Sequence, residues 1–342
     1  MRIAKAAALA ALGLAAAMPA QALPGRAHYA VTDLGTLGGD YASARGINAG
    51  GVITGISTDA DGKSQVFVYA AGRMTSPGAL NGSAAVASGI NDSNDLAGYA
   101  GGYPYHAFRY RNGMLKDVGD LGGGAATAYA INGKGNVVGA SLTADGHSEP
   151  FLTKGGKVID LGTLGGHDLG QWNAALGVND SYQVAGTSWD ASGRYCAFLW
   201  EAGSMRNLGT LGGSWSEGSA INASGHVTGL AYLPGDLEAH AFLWKNNAML
   251  DLGVLPSSNG FSWGFGINAS DTVVGLSQSI RDGVYTDYAF VRDGPKMKNL
   301  NVLIPADTGW VLNVAYAIND AGRIVGEGTI GGKTHAFLLT PN

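Results

Sequence analysis

The chain has 342 residues, 46% hydrophobic and 14% charged, with a formal net charge of −5. That acidic balance argues against a nucleic-acid partner, which would need a basic face. A single cysteine, Cys196, excludes any intramolecular disulfide, so stability has to come from buried area and chain closure.

Residues 1–22 read as a signal peptide. Arg2 and Lys5 make a basic start, Ala6 to Ala17 a short apolar run, and Ala20-Gln21-Ala22 a small-x-small cleavage pattern. The run is shorter than the roughly 20 apolar residues of a membrane span, and no later stretch reaches that length. The expected mature chain begins near Leu23 and is secreted, to the periplasm or the exterior, with no transmembrane segment. Loss of Arg2 and Lys5 takes its net charge from −5 to −7. Residues 23–342 are expected to form one domain.

The 56 glycines would suggest a flexible chain if they were scattered, but they are periodic. The tripeptide (Gly/Ala)-(Ile/Val)-Asn ends at Asn48, Asn91, Asn132, Asn179, Asn222, Asn268 and Asn319. Successive asparagines are 43, 41, 47, 43, 46 and 51 residues apart. That spacing suits propeller blades of four strands and is too long for leucine-rich or ankyrin units. After each Asn comes a short run ending in Gly, such as Val52 to Gly55, Asn136 to Gly139 and Arg323 to Gly326. Next is a Phe-centred strand, such as Gln65 to Tyr69, His240 to Trp244 or His335 to Leu339. Last is Asp-Leu-Gly or a relative, at Asp33, Asp117, Asp160, Asn207, Asp251 and Asn299, with a degenerate copy near Met74 to Pro77.

Each piece is short, β-branched or aromatic, and bounded by Gly, Asn and Asp, which predicts strands. The mature chain opens on the fourth element and closes on the third. The predicted fold is therefore all-β: a seven-bladed β-propeller of four-stranded blades, closed by the N-terminal strand completing the last blade. Radial closure of this kind also removes exposed sheet edges.

His-Ala-Phe at His106, His240 and His335, with Asp-Leu-Gly-Thr-Leu-Gly-Gly at Asp33 and Asp160, resembles the HAF repeat of predicted extracellular bacterial repeat proteins. The resemblance runs from His28 to Thr340 and implies a secreted protein, with no chemistry to carry over. Four units depart from the His, carrying Gln65, Glu149, Cys196 and Tyr288 instead. A shared catalytic role for that position is thereby disfavoured.

Several motifs imitate chemistry. Leu-Gly-Thr-Leu-Gly-Gly has the wrong spacing for a dinucleotide loop and no helix after it. Gly-x-Ser at Gly55, Gly139, Gly186 and Gly275 lacks the final Gly of a nucleophile elbow. The seven histidines have no zinc-binding spacing, and those of His-Ala-Phe are expected to make one recurring hydrogen bond. Asp59-Ala60-Asp61-Gly62 reads as a hairpin turn rather than a calcium loop. Cys196 reads as a small buried hydrophobe. No catalytic residue, metal or cofactor is assigned.

The loops joining second to third strands, and blade to blade, vary in length and fall on one face. Function concentrates on loops placed by a rigid scaffold. Trp172, Trp189, Trp215, Trp263, Trp310 and Tyr232 lie in or beside these loops, with Asp168, Glu217 and Glu238. Rings beside carboxylates suit a sugar-binding groove, so the expected partner is a carbohydrate or another surface protein, bound by a monomer. The competing reading is that these Trp pack between blades. A glycan-active enzyme would need two carboxylates roughly 5–10 Å apart, with Asp168, Glu217 and Glu238 as candidates. A purely structural or adhesive extracellular protein is the third reading.

Overall fold

The computed structural model describes residues 28–78, 85–166, 170–256, 258–281 and 283–342. The expected signal peptide and Asp168 lie outside them. The described residues form an all-β fold of four-stranded, blade-like antiparallel sheets, with one short 3-10 turn at Leu300–Val302.

In chain order, β1 is Tyr29–Asp33, and β2 to β5 are Gly38–Ile47, Ile53–Asp59, Ser64–Ala70 and Arg73–Thr75. Strands β6 to β9 are Ala85–Ile90, Leu96–Ala100, His106–Arg111 and Met114–Asp117. Strands β10 to β13 are Gly122–Ile131, Val137–Thr143, Ser148–Lys154 and Lys157–Asp160. Strands β14 to β17 are Ala174–Val178, Val184–Trp189, Tyr195–Glu201 and Ser204–Asn207. Strands β18 to β21 are Ser216–Ile221, Val227–Tyr232, Ala239–Lys245 and Ala248–Asp251. Strands β22 to β25 are Phe261–Ile267, Val273–Arg281, Val284–Arg292 and Lys298–Asn299, and β26 to β28 are Val311–Ile318, Ile324–Ile330 and Lys333–Pro341. Each group pairs in sequence order, and β1 adds to β28 antiparallel, from Tyr29 opposite Pro341 to Asp33 opposite Phe337.

The repeated residues each have one structural job. Every repeat Asn is only 4–7% exposed. Its Oδ1 accepts the backbone N–H four residues on, at 2.9–3.0 Å, which fixes the hairpin. Its Nδ2 donates to the backbone carbonyl of the next repeat Asn at 3.0–3.3 Å. Asn319 donates to Asn48 O at 3.0 Å, so the series returns to its first residue. Both halves of a buried amide are thereby satisfied, as burial demands.

The Gly ending each second-strand run is required by close approach. A Cβ at Gly55, Gly98, Gly139, Gly186, Gly229, Gly275 or Gly326 would lie 1.8–2.1 Å from a carbonyl of the first strand. It would also meet the ring of a repeat Phe at 2.8–3.0 Å. Those rings, Phe67, Phe108, Phe151, Phe198, Phe242, Phe290 and Phe337, are among the largest fully buried side chains. Each is worth about 1.5–3 kcal/mol of burial, and the glycine lets the first strand close over it.

The serine of Gly-x-Ser is also structural. Ser57, Ser141, Ser188 and Ser277 Oγ accept the backbone N–H of Leu37, Leu121, Leu164 and Leu255 at 2.9–3.2 Å, which anchors the connection between sheets. The His-Ala-Phe histidines make one recurring contact: Nδ1 faces the Asp of Asp-Leu-Gly at 2.9–3.3 Å in His335–Asp33, His240–Asp251 and His106–Asp117. That Asp, or Asn207, accepts the glycine N–H two residues later, as in Gly35, Gly162 and Gly209. Where His gives way to Cys196, the thiol is buried, bonds Asn207, and has its pKa pushed up by desolvation. Where it gives way to Glu149, two carboxylates share the site. Burial and facing Asp160 push Glu149 up to about 7. At Asp59, the side chain accepts Asp61 and Lys63 N–H within the hairpin, as a turn rather than a metal loop.

Candidate functional site

The first strand of every sheet carries a β-bulge at the same place, three residues before the repeat Asn. A bulge leaves one residue without a partner across the ladder and re-aims its side chain. The bulged residues are Arg45, Ser88, Tyr129, Leu176, Ser219, Phe265 and Tyr316, and all of them line one central cavity of about 390 Å³. A repeated backbone device thus delivers a varied set of side chains. Ile56 and Tyr99 from second strands, and Val86 and Glu217 from first strands, complete the lining.

The cavity has two unlike charged poles. At one, the Arg45 guanidinium lies 3.8 Å over the Tyr316 ring and 4.0 Å from Glu327. Glu327 also accepts the Tyr41 and Tyr316 hydroxyls, each at 3.2 Å. At the other, Glu217 of β18 is 9% exposed, and among the described residues its carboxylate has no hydrogen bond or ion pair. Desolvation alone pushes it up to about 7. Burial likewise raises the phenols of Tyr99, Tyr129 and Tyr316.

Beside this cavity the loop-face aromatics form a continuous chain. Tyr129 meets Trp172 edge-on at 6.0 Å, and Trp172 stacks on Tyr195 at 6.5 Å. Trp189 and Trp215 both pack on Tyr195, at 5.2 and 5.0 Å, and Trp215 meets Tyr232 at 5.5 Å. Tyr195 is buried at the hub, whereas Trp172 is 38% exposed.

The structure therefore gathers Trp172, Trp189, Trp215 and Tyr232 into one group. Trp263 goes elsewhere: its Nε1 donates to cavity-lining Ser219 at 2.9 Å and its ring packs on Phe265 at 5.0 Å. Trp310 packs edge-on to Phe337 at 6.1 Å, against the core under β26–β28. Glu238 is on an exposed loop, its side chain over Gly260. Glu217, read from sequence as a loop carboxylate, sits inside β18 and faces the cavity. Sequence reasoning missed Tyr195, Arg45, Tyr129, Phe265 and Tyr316. The last four share one signal, the varying position inside the repeated pentapeptide that ends in Asn. Among the described residues no group of His, Cys, Asp and Glu is arranged to hold a metal ion, and no helix is long and apolar enough to cross a membrane.

No protein-family model matches the sequence, and no curated protein matches it. Solved structures do. The β-propeller domain of the Trilobed protease from Pyrococcus furiosus, which has an open velcro topology, is 9% identical with a TM-score of 0.57. The alignment covers 88% of this chain and 95% of that one. A prolyl endopeptidase is 12% identical with a TM-score of 0.52, over 92% of this chain and 50% of that one. TolB from Acinetobacter baumannii is 11% identical with a TM-score of 0.47, over 90% of this chain and 65% of that one. The chain thus spans half of the prolyl endopeptidase and just under two thirds of TolB. At these identities the likeness is one of fold, and that fold is a β-propeller. The chain is a repeat-like, all-β protein of this class.

Proposed function

We propose that this chain is an exported, single-domain, seven-bladed β-propeller, closed by β1 on β28, and that it works as a non-catalytic binding module. Its binding site is the central cavity together with the aromatic group at its side. The observation that carries this reading is the bulge: one repeated position presents seven mostly different side chains to one cavity. A volume of about 390 Å³ falls within the roughly 300–1,000 Å³ of small-ligand pockets. The pairing of β1 with β28 and the return of the Asn series to Asn48 support closure.

Three experiments test the parts. Leu176→Trp fills the cavity from a bulge position, and Trp215→Ala opens the aromatic group. A ligand from a glycan array or small-molecule screen should lose binding in at least one of them, and one that ignores both overturns the site. Deleting residues 28–35 removes β1 and should destabilise the whole ring; a truncation that melts like the full chain overturns closure. Export predicts a mature N-terminus near Leu23, read by mass spectrometry of the secreted protein. A second reading, a glycan-active enzyme, is favoured by one observation only: a carboxyl held near 7, as in Glu217, is poised as a general acid. Release of reducing ends from a polysaccharide, lost in Glu217→Gln, would establish it in place of the binding module.

A further inference from the structure

We propose that the central cavity binds a small organic cation, an ammonium group on a compact apolar or aromatic body, with Glu217 as its counter-ion. This rests on the cavity being the binding site and adds the chemistry of its ligand.

The two poles of the cavity make the argument. At the first, a carboxylate (Glu327), a tyrosine ring (Tyr316) and a cation (Arg45) are assembled from this chain's own residues. At the second, the carboxylate and the rings are present without the cation. Glu217 is nine-tenths buried and lines the cavity, and Tyr129 and Tyr195 lie close enough to feel its charge. Buried charges are normally paired, because an isolated carboxylate removed from water is strongly destabilised. Removing one partner of a buried pair leaves the kind of arrangement seen here, so the absent partner is supplied from outside. The Tyr129 ring, which lines the cavity, adds attraction for a cation over its face. An anion would meet Glu217 unfavourably, and Arg45 is already engaged by Glu327 and Tyr316. Phe265 and Leu176 supply the apolar wall for the ligand's body.

Ionisation sets the pH dependence. The titratable groups around Glu217 are Tyr195 of β16, Tyr232 of β19 and, across the cavity, Tyr99, Tyr129, Tyr316 and Arg45. Tyr99, Tyr129, Tyr195 and Tyr316 are raised further above neutrality, so Glu217 titrates first as pH rises. A primary ammonium keeps its proton over the same range. Binding should therefore strengthen from about pH 5.5 to about pH 8 as the carboxylate ionises.

The test is calorimetric titration of the mature chain with phenethylamine, benzylamine and butylamine, each beside its alcohol. At least one amine should bind saturably, at least about tenfold more tightly than its alcohol, and weaken at acid pH. Glu217→Gln should lose about tenfold or more of that affinity and its pH dependence while melting no lower than the parent. An alcohol that binds as well as its amine, an unaffected Glu217→Gln, or no binding by any amine overturns the proposal. A ligand of another class that is lost in Leu176→Trp leaves the binding-module reading standing while this one falls. A ligand that ignores Leu176→Trp counts against the cavity itself.

Discussion

Two positions three residues apart in every repeat, the bulge and the Asn, obey opposite rules. At the Asn every unit is built alike: one amide fixes its own hairpin and bonds the next unit's carbonyl. A few residues away, the bulge presents Arg, Ser, Tyr, Leu, Ser, Phe and Tyr in turn to a shared cavity. The difference teaches where to look in a repeat protein. Uniform positions hold the scaffold together, and the position that varies inside a uniform motif lines the cavity. Substitutions at the uniform positions should lower stability, while Glu217→Gln in the cavity lining should raise it.

The largest effect is expected at the close approach. Gly139→Ala places a Cβ 1.9 Å from Thr127 O and 2.9 Å from the Phe151 ring, and neither backbone nor a buried ring can yield. The loss should reach or exceed the roughly 1–3 kcal/mol of ordinary overpacking, read by denaturant unfolding. Next is Glu217→Gln, with the opposite sign. Burial raises this carboxyl from 4.5 to about 7, so the folded state binds its proton more tightly than the unfolded one. Stability from this group is intact below about pH 4.5, falls as pH rises toward 7, and is then lost in full, by about 3 kcal/mol. Glu217→Gln should thus match the parent near pH 4 and exceed it at pH 8; equal melting at both pH values would refute the burial argument.

Asn132→Ala comes third. It removes the donation to Asn179 O at 3.1 Å and the acceptance from Asn136 N–H at 2.9 Å, for about 2 kcal/mol at roughly 1 kcal/mol per bond. Smallest is Glu149→His, which replaces a carboxylate pair with the His–Asp arrangement of His240 and Asp251. It should stabilise by up to about 1 kcal/mol at neutral pH, measured by thermal melting. A destabilised variant would mean that Glu149 belongs to the variable positions rather than the uniform ones.

Much of the scaffold was legible because each structural job recurs with its residue. The Asn, the Gly that faces a Phe, and the His facing an Asp each appear at blade spacing. The site was legible only in part. Trp172, Trp189, Trp215 and Tyr232 could be grouped from their loops, but their hub, Tyr195, hides at the start of a strand. Trp263 and Trp310 share the loop signal yet turn to Ser219 and Phe337, because ring orientation depends on packing between units. The cavity left only the varying position of the pentapeptide as its signal, because the bulge that aims it is written in no single strand. A bulge is an event of register between two strands, and it leaves no residue type of its own in one of them.

That register event also decides how such a protein can change. The bulge residues inherit the spacing of the asparagines, 41 to 51 residues. Exchanging one whole repeat between related genes would therefore replace one wall of the cavity and leave the other walls, and the joints, untouched. A new cavity lining is thus reached by exchanging intact units.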